Sequence, residues 1–173
     1  LGMRYGKLTD AVATISTAVP TTTAAHALWN GEAAGGKSYV LESMTWLSIT
    51  SAGAASGFGL VGCLNVLPLT AVPATADTLT KVTSMNGRVY SGRAKSSHTV
   101  TVVDDGWWPL PIQPFTLGTG TVSGSLILHA PLDGGVIIPP GCVFATSALS
   151  VGTTATGNMF YVWREEQIYN QLS

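Results

Sequence analysis

Few side chains in this chain are of a type and spacing that could do chemistry. The three histidines, His26, His98 and His129, lie far apart, with none of the HxH, HExxH or HxxxH spacings that bring ligands onto one metal. Asp104-Asp105 has two readings: a carboxylate pair that helps loop carbonyls hold Ca²⁺, or a turn in which Asp bonds its own backbone. Glu165 and Glu166 are neighbours on an expected strand and point to opposite faces, so they do not form a glycosidase pair with each other. No serine sits in GxSxG, and GAASGFG lacks the dinucleotide spacing with a following helix. No catalytic residue, metal ligand or cofactor site is assigned, and the chain reads as a non-enzyme.

Other residues are suited to contact. Lys81, Arg88, Arg93 and Lys95 are half of the eight Lys and Arg, with no acid among them. They read as a solvated hairpin, or as a basic edge for an acidic partner, a phosphate or a sialic-acid-like anion. Trp107-Trp108, beside Pro109 and Pro111, places large aromatics on a stiff loop. That is the composition of a subunit-contact hot spot, of a sugar platform, or of a plug in the core. Cys63 and Cys142 lie in apolar runs and read first as buried thiols. A disulfide requires their strands to be neighbours.

The elements that must position these residues are strands. Only 10% of the 173 residues are charged and the net charge is -1, against roughly a quarter charged in an ordinary globular domain. Gly, Thr, Ser, Ala and Val prevail over helix-surface residues, which favours an all-β fold. So little charge covers a surface poorly and points to cover by other copies of the chain. It also gives no reason to bind nucleic acid or an anionic membrane. No run of about 18 apolar residues reads as a membrane span, and no signal segment is visible.

Residues 1–36 read as an Ala/Thr-rich N-terminal lead with short strands. It is either an arm that adds to a neighbour's sheet or an ordinary first strand and loop. Residues 37–173 read as one domain. Strands are expected at Ser38–Thr50, with a bulge near Ser43–Leu47, and at Phe58–Leu67, where Gly59 and Gly62 need a close neighbour. Thr78–Ser84, His98–Val103, Ser123–Ala130, Val136–Ile138, Cys142–Val151 and Met159–Ile168 follow. Turns are expected at Asn86-Gly87 and at Leu132–Gly135, and a rigid corner at Pro139-Pro140-Gly141. These eight or nine strands at short intervals predict a single-domain, jelly-roll-like antiparallel β-sandwich.

The segment GGVIIPPGCVFATSALSVGTTATGNMFYVWREEQI, Gly134 to Ile168, resembles the closing hairpin of jelly-roll virion proteins from tailed bacteriophages. A looser likeness extends to GKSYVLESMTWLSITSAGAASGFGLVGCL. The resemblance implies a non-enzymatic capsid decoration or head-surface protein in the virion. Its partners would be copies of itself, as a trimer or pentamer, and a major capsid protein. Two other expectations remain: a lectin-like jelly roll that binds glycans through the Trp loop, and a subunit of an extracellular filament or surface layer. The HxH-plus-Glu pattern of cupin enzymes, which share the jelly roll, is absent from the sequence.

Overall fold

The computed structural model describes residues 3–9, 12–21, 23–49, 56–65, 82–85, 90, 92–101, 106–112, 127–151 and 155–168. Among them the chain forms strands and no helix: β1 (Arg4–Leu8), β2 (Ala13–Thr14), β3 (Thr23–Asn30), β4 (Ser38–Ser48), β5 (Ser56–Asn65), β6 (Thr83–Ser84), β7 (Ala94–Thr101), β8 (Trp108–Pro109), β9 (Ile127–Ile138), β10 (Val143–Val151) and β11 (Thr156–Glu166). Two antiparallel sheets result. One runs β6-β1-β11-β4-β9, with β2 also paired to β11, and the other runs β7-β3-β10-β5-β8. The fold is thus an all-β sandwich.

Strand alternation explains the layering, because residues opposite one another across a sheet share a face. In the six-stranded sheet the rows Tyr5–Trp163–Leu41–Val136 and Met159–Trp46–Leu128 face inward, and each of these side chains is buried. Phe144 and Leu28 of the second sheet join the same core. Trp46, Trp163, Tyr39, Tyr161 and Phe144 are its largest fully buried side chains. Each such burial is worth about 1.5–3 kcal/mol before the entropy of ordering is subtracted. Tyr161 carries its polar end into this core by hydrogen bonding Thr146 Oγ1 at 2.7 Å, which ties the two sheets together.

Several expectations change in detail. The N-terminal 36 residues supply β1, β2 and β3, which pair within this chain, and β3 is interior, between β7 and β10. The bulge in β4 falls at Glu42, where the register with both β9 and β11 shifts. Leu132–Gly135 is no turn between two strands. It is an irregularity inside the continuous β9, where Asp133 and Gly134 take positive φ of 47° and 81° while pairing with β4 resumes at Val136. Pro131, which lacks an N–H, is tolerated because β9 ends the sheet order. Pro139-Pro140-Gly141 does form the expected corner, with Gly141 at φ 79° and Cys142 N–H donating to the Pro139 carbonyl at 3.1 Å. The Asn86-Gly87 turn lies outside the described residues.

Of Gly59 and Gly62 in β5, Gly59 has open space where a side chain would stand. Gly62 does not: a Cβ there would lie 2.6 Å from Phe144 Cζ. Gly62→Ala is therefore expected to displace the Phe144 ring and lower stability by about 1–3 kcal/mol, read from the urea midpoint. Gly59→Ala is expected to leave that midpoint unchanged or raised.

Candidate functional site

The outer face of the six-stranded sheet departs most from an ordinary solvated surface. One row across it is Leu8–Phe160–Thr45–His129, the next is Gly6–Val162–Ser43–Pro131, and a third pairs Asn158 with Leu47 and Ile127. A one-sided antiparallel sheet normally carries polar side chains on this face. Here Leu8 is 45% exposed and Ile127 58%, with half-buried Leu47, Phe160, Val162 and Pro131 between them. Phe160 packs against Gly6, where a Cβ would come within 2.8 Å of its ring. Thr45 Oγ1 and His129 Nδ1, 2.8 Å apart, satisfy one another and leave the band largely apolar.

Charge is gathered at one end of the same face. Glu42, displaced outward by the bulge, meets Arg4 Nε at 2.6 Å and Arg164 Nη1 at 3.2 Å, and Arg164 also pairs with Glu166. Glu166 and then Glu42 hold the Arg164 guanidinium above its ordinary pKa. As partly exposed surface pairs they add little stability. Their effect is to fix an alternating Arg/Glu strip beside an apolar field.

Trp108 opens β8 and Trp107 directly precedes it, and the two pack against different clusters. Trp108 packs inward, 5.9 Å from the Phe144 ring. Trp107 lies on the outer face of the five-stranded sheet, over a small apolar patch of Ala24, Ala27, Cys63, Val143 and Ala145. Both tryptophans are half-buried and Pro109 is exposed. One therefore seals the core and the other covers a patch, so the pair does not present a joint platform. Cys63 belongs to that patch and Cys142 to the main core, both as thiols. The disulfide expected as one possibility is not formed, since the two lie in different clusters. Burial raises the Cys142 pKa, which disfavours the thiolate.

Arg93 and Lys95 sit at the start of β7, while Lys81 and Arg88 lie outside the described residues. The β3–β7 register sets Lys95 opposite Trp29, and together with Tyr90 and Arg93 they line a cleft of about 480 Å³. Sequence reasoning missed Trp29 and Tyr90 as members, since only the fold brings residue 29 to residue 95. The same register sets His26 opposite His98. No group of three or more His, Cys, Asp or Glu able to hold a metal occurs among the described residues. Asp104-Asp105 lies outside them.

Tyr90 closes one end of the core. Its ring is edge-on to Tyr5 at 4.9 Å and to Trp163 at 6.3 Å, and its hydroxyl accepts the Ala94 N–H at 2.9 Å. The Tyr39 hydroxyl lies 3.4 Å away. Burial drives both hydroxyls far above the ordinary tyrosine value of about 10, and for Tyr90 the neighbouring Tyr39 adds to the shift. A raised folded pKa means that the folded state holds protons which the unfolded chain gives up. The stabilisation is complete below about pH 10 and is lost as pH rises beyond it. Tyr39 and Tyr90 are expected to ionise only as the protein unfolds, seen as tyrosinate absorbance appearing together with loss of β circular dichroism. Full ionisation with the β signal intact would contradict this.

Fold and surface together define a β-sandwich with one apolar outer sheet face, a charged strip at its end and a small basic cleft. Comparison of the chain with protein-family models, with curated proteins and with solved structures gave no match.

Proposed function

We propose that this chain is a non-enzymatic structural subunit that acts by packing against copies of itself and against a larger shell, as a capsid-surface or decoration protein of a virion does. The observation that carries the reading is the apolar outer face of the six-stranded sheet, from Leu8 through Phe160 and Val162 to Ile127. A chain with 10% charged residues has little other means of keeping such a face from water. The Arg4–Glu42–Arg164–Glu166 strip supports a specific contact over mere stickiness, since charges beside an apolar field set orientation and register.

Strand order supports the jelly-roll form of the sandwich. With the short β2 and β6 and the edge strand β7 set aside, eight strands remain. Numbered along the chain, they lie in the orders first-eighth-third-sixth and second-seventh-fourth-fifth, the arrangement of two Greek keys rolled together. The likeness of Gly134–Ile168 to phage virion proteins covers β10, β11 and the corner before them, and gives the virion its place in the proposal.

The test is the state of the purified chain. It is expected to be a closed oligomer, a trimer or pentamer, at micromolar concentration by light scattering, and to bind shells of a major capsid protein. A monodisperse monomer that binds no shell would overturn the reading, and regular fibres in negative stain would replace it with a filament subunit.

A further inference from the structure

We infer that the cleft between Trp29 and the start of β7 is a binding site for a carboxylate-bearing sugar of the uronic or sialic acid class. This rests on a surface separate from the assembly face. The cleft, about 480 Å³, is lined by Trp29, Gly31, Tyr90, Gly92, Arg93 and Lys95. That volume lies within the range of small-ligand sites, and the lining joins aromatic surface to a few directed polar groups.

Arg93 is exposed and Lys95 half-buried, and among the described residues neither side chain meets a carboxylate. Two unneutralised cations beside one another call for an anion, and the planar guanidinium fork fits a carboxylate through two parallel hydrogen bonds. The acids nearby are already committed. Glu32 Oε1 accepts the Arg93 backbone N–H at 3.1 Å, and Glu165 Oε2 meets Lys37 Nζ at 3.3 Å.

Two glycines let the lining side chains pack closely against the backbone. A Cβ on Gly31 would lie 2.6 Å from Trp29 Cζ3, so the indole rests directly on bare backbone beside the cleft. At Gly92 a Cβ would lie 2.6 Å from Glu165 Oε1. That oxygen is buried and has no hydrogen-bond partner, in a side chain only 4% exposed. It lies behind Gly92 and outside the cleft lining, so it adds negative charge behind the two cations and no ligand contact. A plain anion satisfies the cations alone. A sugar acid brings its carboxylate to Arg93 and Lys95 and its apolar ring face to the aromatic lining.

The frame is held before any ligand arrives. Tyr90 is fixed by the Tyr5 and Trp163 rings and the Ala94 N–H, and the first turn into β7 is fixed by Glu32. Such preorganisation lowers the entropic cost of binding.

The test is titration of the full chain with N-acetylneuraminic acid and with glucuronic acid, followed by ligand-observed NMR, with methyl glucoside and inorganic phosphate as controls. Saturable binding of a sugar acid is expected, with at least about tenfold weaker binding of both controls. Arg93→Ala and Lys95→Ala are each expected to weaken the sugar acid by about tenfold or more while the β circular dichroism is unchanged. Arg93→Lys is expected to restore little, because the fork is lost. Absence of saturable binding, equal binding of methyl glucoside or phosphate, or full affinity in both alanine variants would each overturn the assignment. None of these outcomes depends on the oligomeric state.

Discussion

Leu8→Asp combined with Ile127→Asp is expected to leave a folded chain and abolish its self-association. These side chains are 45% and 58% exposed, on strands β1 and β9 at opposite edges of one apolar band. Because neither is in the core, placing a carboxylate there costs the isolated subunit little, and surface changes of this kind usually stay within about 0.5 kcal/mol. In an assembly the same two positions become desolvated, and an unpaired charge buried in an interface costs about 2–5 kcal/mol. Two such changes weaken the contact by at least about a hundredfold, since each 1.4 kcal/mol is about tenfold. Light scattering is expected to fall to the monomer mass of 17.9 kDa, with the urea midpoint retained. An unchanged oligomer would show that this sheet face does not make the contact. The double alanine variant of Trp107 and Trp108 is a poorer probe, because Trp108 is packed against Phe144 and its loss disturbs folding first.

Trp163→Ala is expected to bring the protein close to unfolding at room temperature. The side chain is fully buried between Tyr39, at 5.8 Å, and Tyr5, at 6.1 Å, with Tyr90 edge-on beyond. Truncating a buried Trp costs about 3–5 kcal/mol, and a typical domain has only about 5–15 kcal/mol in hand. Trp163→Phe is expected to lose about half as much or less. It keeps an aromatic ring in place and removes an indole N–H that has no hydrogen-bond partner. Urea midpoints of the two variants measure the difference. Equal losses would mean that the volume of the whole indole, and not the aromatic stack, is what the core requires.

Much of the fold was legible in local patterns. The alternating runs SYVLESMTWLS and VFATSALSV are β4 and β10 because β-branched and aromatic residues at period two suit a pleated, half-buried surface. The corner at Pro139-Pro140-Gly141 could be read because Pro fixes φ and Gly accepts positive φ whatever surrounds them. Leu132–Gly135 misled, since Asp-Gly-Gly has turn chemistry in isolation, while pairing with β4 on both sides keeps β9 continuous. The apolar outer face had a signal that was passed over. In MFYVWREE apolar side chains fall on both alternating sets, Met159, Tyr161 and Trp163 against Phe160 and Val162, which marks a strand covered on both faces.

By itself the sequence determined the poverty of charge, the strand character, the corner and the nearness of Arg93 to Lys95, because these depend on composition and on residues a few positions apart. Only the tertiary structure decided that Leu8, Phe160 and Ile127 share one face, that Trp107 and Trp108 part company, and that Trp29 and Tyr90 join the two cations. Such groupings join residues dozens to more than a hundred positions apart. They are fixed by strand order and register, which the packing of both sheets around one core selects and no local stretch of sequence encodes.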